Sequence, residues 1–137
     1  MPASVETLRQ YSFGECYIAN YDNIDVPFID QRAFMNNYAT SITEMNIGPN
    51  VMQLGNDCFN MPMSNVTTLN IGAPGQASKL PDGRENGLIG DGITYFYLPK
   101  LTTVNIYTNN RNDACWTYSG LTNFGSNNAV TINFIDV

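Results

Sequence analysis

Two carboxylates are the first residues whose type and placement could do chemistry. Asp25 and Glu44 sit at neighbouring copies of a short apolar–polar pattern, both on its outward side, where an acid and a base could act together on a polysaccharide. Nothing marks either of them, among twelve acidic residues, as buried or perturbed, so the expectation is a chain that is not an enzyme. The sequence contains no histidine, which removes Ser-His-Asp and Cys-His catalysis and most catalytic zinc sites. Cys16, Cys58 and Cys115 lie 42 and 57 residues apart, matching neither a CxxC metal pair nor a disulfide framework, and read as small packed thiols. Asp82, Glu85, Asn86 and Asp91 do not follow the calcium-loop spacing. No metal and no cofactor is expected. Asn65-Val66-Thr67 is a glycosylation sequon, which has meaning only in an exported chain.

Length and composition bound what remains. A chain of 137 residues fits one domain, 1–137, and a hydrophobic share of 43% is enough for a core. Charged residues make up only 13%, about half the usual ~25%, so neutral polar groups, chiefly Asn and Thr, must cover the surface. The net charge is −6 and the six basic residues are scattered, which argues against nucleic acid as a partner, because phosphate binding needs clustered cations. No window approaches the ~18 apolar residues of a membrane span, and the first residues lack the basic-then-apolar order of a signal peptide. The expectation is no membrane contact and no export signal in the chain itself.

Internal repetition then decides the fold class. An apolar–polar–apolar pattern recurs at Ile24-Asp25-Val26, Met45-Asn46-Ile47, Leu69-Asn70-Ile71, Val104-Asn105-Ile106 and Ile132-Asn133-Phe134, with steps of 21, 24, 35 and 28 residues. These are read as five short strands at repeat spacing. A small residue followed by an aromatic interleaves with them at Ser12-Phe13, Ala33-Phe34, Cys58-Phe59 and Cys115-Trp116, with Tyr95-Phe96 a looser member. Val5, Leu8 and Phe13 share offsets of 3 and 5 with Val51, Leu54 and Phe59. Each repeat holds too few apolar side chains for a core of its own, so neighbouring turns must stack them into one column. Phe13, Phe34, Phe59, Phe96 and Trp116 are expected to form its aromatic spine.

The segments Pro2 to Cys16 and Gly48 to Phe59, with the strands Val66 to Ile71 and Leu101 to Ile106, resemble the BspA-type leucine-rich repeat over nearly the whole chain. The resemblance implies a right-handed leucine-rich-repeat solenoid, mainly β, of about five turns with one short parallel strand each and short irregular or helical returns. It also implies a non-catalytic recognition role, as in bacterial surface adhesins and in phage and other virion proteins.

Three features carry the functional expectation. The ends of the stack look uncapped, with Val5 and Leu8 at one and Ile132, Phe134 and Val137 at the other, inviting docking on a partner subunit; local caps from 17–21 or 114–128 are the alternative. A polar ladder of Asp25, Asn46, Asn70, Asn105 and Asn133, flanked by Glu44, Thr68 and Thr103, faces outward and serves either to satisfy itself or to contact a glycan or polar protein surface. The stretch 72–90, with five glycines and two prolines, is a loop insertion into one turn, for partner contact or none. The expected function is a structural and recognition protein, a head-decoration or tail-associated subunit of a bacteriophage virion whose partners are virion proteins or copies of itself, with a host-surface glycan or protein as a further contact. The alternatives are part of a longer exported cell-surface adhesin and an intracellular protein-interaction adaptor.

Overall fold

A computed structural model describes residues 4–17, 24–89, 95–117 and 124–137. The fold is mainly β, with parallel strands in three sheets, only short 3-10 turns for helix, and no closed barrel. The first sheet holds β1 (Thr7–Leu8), β2 (Phe28–Ile29), β4 (Gln53–Gly55) and β7 (Leu88–Ile89) in that order. The second holds β3 (Glu44–Ile47), β6 (Thr68–Ile71), β9 (Thr103–Tyr107) and β10 (Thr131–Ile135). The third pairs β5 (Phe59–Asn60) with β8 (Phe96–Tyr97). From β4 to β9 the chain passes through the first, third and second sheets in turn twice, and every strand pairing is parallel. Among the described residues the one antiparallel pairing is a bridge between Ala73 and Gln76.

Four of the five expected strands form in full, and the first is reduced to a parallel bridge between Ile24 and Ile47. That pairing displaces the expected register by two residues: Ile24 stands beside Ile47, where Met45 was expected. The alternation tolerates the shift because a two-residue slide returns every side chain to the same face; Ile24 and Val26 are both buried. The returns differ from the expected irregular or helical segments, since they carry the first and third sheets. Backbone groups there need partners too, and the return of one circuit supplies them to the next: the amide N–H of Phe13 donates to the Ala33 carbonyl (2.9 Å), that of Phe34 to Cys58 (2.8 Å), and that of Phe59 to Tyr95 (2.9 Å).

Stacked circuits superimpose their aromatics. Ring centroids of Phe13 and Phe34 are 5.1 Å apart, of Phe34 and Phe59 4.9 Å, and of Phe59 and Phe96 5.3 Å, each pair within 15° of parallel. These distances follow the ~4.8 Å between adjacent strands. The fifth place belongs to Phe124, tilted 50° at 5.2 Å from Phe96, and not to Trp116. Trp116 lies in a 3-10 turn, Ala114–Thr117, buried beside the column, and its indole N–H donates to the Asn110 carbonyl at 3.1 Å. Spacing separates the two candidates: Phe96 and Phe124 each precede the first inward residue of the next strand by eight positions, Trp116 by sixteen.

The stretch 72–90 is less of an insertion than its composition suggests. It holds 3-10 turns at Leu80–Asp82 and Arg84–Gly87 and then β7, and Leu80 and Leu88 belong to the core. At Gly83 any Cβ would overlap the Met52 carbonyl oxygen, so glycine is what lets this segment close on the preceding circuit.

Phe59 sits mid-column and is fully buried, so Phe59→Ala is expected to cost about 3–5 kcal/mol, whereas Phe13→Ala at the half-buried end costs less. Urea unfolding of the two variants beside the parent measures the difference.

Candidate functional site

The second sheet positions the polar ladder. Along β3, β6 and β9 alternate residues point inward, and Met45, Ile47, Leu69, Ile71, Val104 and Ile106 are buried, which forces the residues between them outward. Register places Asn46, Asn70, Asn105 and Asn133 in one row, and Glu44, Thr68, Thr103 and Thr131 in the row before it.

The asparagines bond along their row in one direction. Asn70 Nδ2 donates to Asn46 Oδ1 (2.8 Å), Asn105 Nδ2 to Asn70 Oδ1 (2.9 Å), and Asn133 Nδ2 to Asn105 Oδ1 (3.0 Å). Asn70 Nδ2 also donates to Glu44 Oε1 at 2.8 Å, so both of its amide protons are engaged. Each carbonyl oxygen in the row keeps a second lone pair, leaving an outward surface rich in acceptors.

Asp25 is not on this ladder. The two-residue displacement sets it against Gly48, and its carboxylate accepts from the Asn50 backbone N–H (2.7 Å) and from Asn50 Nδ2 (2.9 Å). Asp25 thus anchors a turn while Glu44 bonds to Asn70, and the two acids read as a possible catalytic pair are held by different partners. Asn65 of the sequon donates from Nδ2 to the Thr40 carbonyl (2.7 Å).

The two expected docking ends differ. Leu8 is buried in the ladder with Ile29, and Val5 packs partly on the core. At the other end β10 is an edge strand paired only with β9 among the described residues. Ile132 is 37% exposed although its register partner Val104 is fully buried, and Val137 is 36% exposed. Phe134 is half-buried, with the Arg111 guanidinium 5.9 Å from its ring centroid. The segments read as local caps fall partly at 18–21 and 118–123, outside the described residues. Asp91 of the acidic set also lies outside them, and among the described residues no three His, Cys, Asp or Glu side chains cluster.

Two surface features escaped the sequence reading. Tyr17, 77% exposed, stacks on Tyr38 with centroids 4.8 Å apart. Glu44, Asn46, Asn70 and Tyr107 line a groove of about 350 Å³, rimmed by Pro49 and Pro74. Tyr107 had a usable signal, since it continues the outward alternation of Thr103 and Asn105 by one more step.

The cysteines are all unpaired; Cys58 and Cys115 are buried and Cys16 is exposed. Burial pushes both inner thiols up from their ordinary range, and at Cys115 the Asp113 carboxylate adds to the effect. They stay protonated, hence poor nucleophiles, in the folded chain. A disulfide-exchange reagent at pH 8 is expected to label one thiol per folded chain, Cys16, and three in denaturant. Because the folded state holds these protons more tightly, stability is complete below the unfolded thiol pKa near 8.5 and falls as pH rises beyond it. Removing the central amide with Asn70→Ala breaks the hydrogen bonds to Asn46, Asn105 and Glu44 on a half-buried outward row and is expected to cost about 0.5–1.5 kcal/mol, against a few tenths for the exposed Asn133→Ala; melting curves compare them.

No family model, no curated protein and no solved structure matches this chain, so a functional reading rests on its own residues.

Proposed function

We propose that the chain is a non-catalytic structural and recognition module, a leucine-rich-repeat solenoid of the BspA type, serving as a bacteriophage virion component, head-decoration or tail-associated, that docks on partner subunits through its β10 end. The observation that carries this reading is the open edge of β10. Ile132 points to the interior side of the sheet yet is 37% exposed, because no further strand pairs beyond it among the described residues. A parallel edge of five residues with uncovered apolar side chains invites another strand or a fitted surface. Low charge and a surface of amides and hydroxyls suit close packing against other subunits. The repeat resemblance supplies the virion setting.

A second reading, a segment of a cell-surface adhesin, is favoured by the outward polar face of β3, β6 and β9, whose amides and hydroxyls suit glycan or polar protein surfaces.

Docking through β10 predicts that its amides exchange quickly in dilute protein and become protected as concentration rises or a partner is added. Ile132→Asp is expected to abolish that protection and, because the side chain faces the interior side and is only 37% exposed, to lower stability by about 1–3 kcal/mol as well. Hydrogen exchange with sedimentation checks both. A monomer at high concentration whose β10 amides are already slow overturns the reading.

A further inference from the structure

We propose that the groove beside the amide ladder binds a neutral oligosaccharide. The inference builds on the recognition part of the function above and is independent of docking through β10.

Two glycines contribute to the lining of the groove. Ile47, Ile71 and Ile106 are register partners, so the next outward row runs Gly48, Gly72, Tyr107. Two adjacent positions in that row have no side chain. Both glycines are buried, Gly48 under the Asp25 carboxylate, and they line the groove together with Tyr107. Neither glycine is free to become larger. A Cβ on Gly48 would overlap the Asp25 carboxylate, and Gly72 has φ +85°, with a Cβ there only 2.9 Å from that of Tyr107. The two glycines therefore keep this part of the groove lining to backbone. The groove's volume of about 350 Å³ lies at the low end of the ~300–1,000 Å³ of small-molecule sites.

The lining chemistry selects the ligand. Along one side stand Glu44, Asn46 and Asn70, whose mutual hydrogen bonds fix their positions in advance and use both amide protons of Asn70. What they still offer are the Asn46 Nδ2 protons and lone pairs on the Glu44 carboxylate and the two amide oxygens. A ligand whose groups both donate and accept, as hydroxyls do, can use all of them. The rest of the lining includes Ala73, two proline rings and the half-buried ring of Tyr107. A sugar presents that combination, with hydroxyl donors at its rim and C–H faces that pack on aromatic and proline rings. The Glu44 carboxylate, in a chain of net charge −6, turns away acidic sugars and phosphates. Ammonium groups would satisfy the acceptors but leave the proline and tyrosine rings unused.

The test titrates isotope-labelled protein with maltoheptaose, cellohexaose, chitohexaose, an oligogalacturonate and hexalysine, reading side-chain amide signals by NMR. The expected result is that at least one neutral oligosaccharide shifts the Asn46 and Asn70 amides at millimolar concentration, while the oligogalacturonate does not. Tyr107→Ala should weaken binding about tenfold or more, the loss of an aromatic contact, and Tyr107→Phe should retain most of it. Glu44→Gln, at an exposed position, should admit the oligogalacturonate, and this arm decides the matter if Tyr107→Ala fails to fold. Silence from all three neutral sugars, binding that survives Tyr107→Ala, or a response to hexalysine alone overturns the proposal. None of these outcomes alters the sedimentation and exchange behaviour of β10, so failure of the groove and failure of end docking are separately visible.

Discussion

The structure depends on one constraint: strands well separated in sequence must pair in parallel and in register, at the spacing of a sheet. A single strand contributes two to five residues to its sheet, and each turn one ring to the aromatic column, far too little to exclude water alone. Stacked, the same residues bury Met45, Ile47, Leu54, Phe59, Leu69 and Ile71 completely. The column of phenylalanines and the ladder of asparagines are two consequences of that spacing, one through ring contact and one through amide hydrogen bonds.

The same constraint explains the backbone. Tyr11, Arg32 and Asp57, each two residues before a column phenylalanine, all have φ near +60°, a left-handed corner that ordinary residues adopt at a cost. The cost is tolerable because each corner lies against an equivalent one: the Tyr11 N–H donates to the Arg32 carbonyl, and the Arg32 N–H to the Asn56 carbonyl. Asp25 plays a related part, holding the next turn through Asn50.

Where stacking stops or skips a side chain, surface with a different character results. At β10 it stops among the described residues, and an inward-facing isoleucine is left part-exposed. At Gly48 and Gly72 it continues without side chains of their own, and these glycines line a groove beside the ladder. End docking and the sugar groove are proposed from these two interruptions of one regular pattern, which is why they involve separate residues and separate measurements.

Much of this was legible in the residues alone. Alternation of apolar and polar residues determined which side chains of the second sheet face inward, and the recurring asparagine placed Asn46, Asn70, Asn105 and Asn133 in line, because a period of two is a local property of an extended chain. Register of the first circuit was not legible, since Ile24-Asp25-Val26 satisfies the alternation equally well two residues along; only the pairing of Ile24 with Ile47 moved Asp25 off the ladder. The fifth aromatic was read as Trp116, on its small-residue-then-aromatic pattern, but Phe124 takes the place against Phe96, and both are buried. The groove belongs wholly to tertiary structure. Gly48 and Gly72 lie 24 residues apart and Tyr107 another 35, and they become one surface only through long-range pairing, which no local pattern encodes.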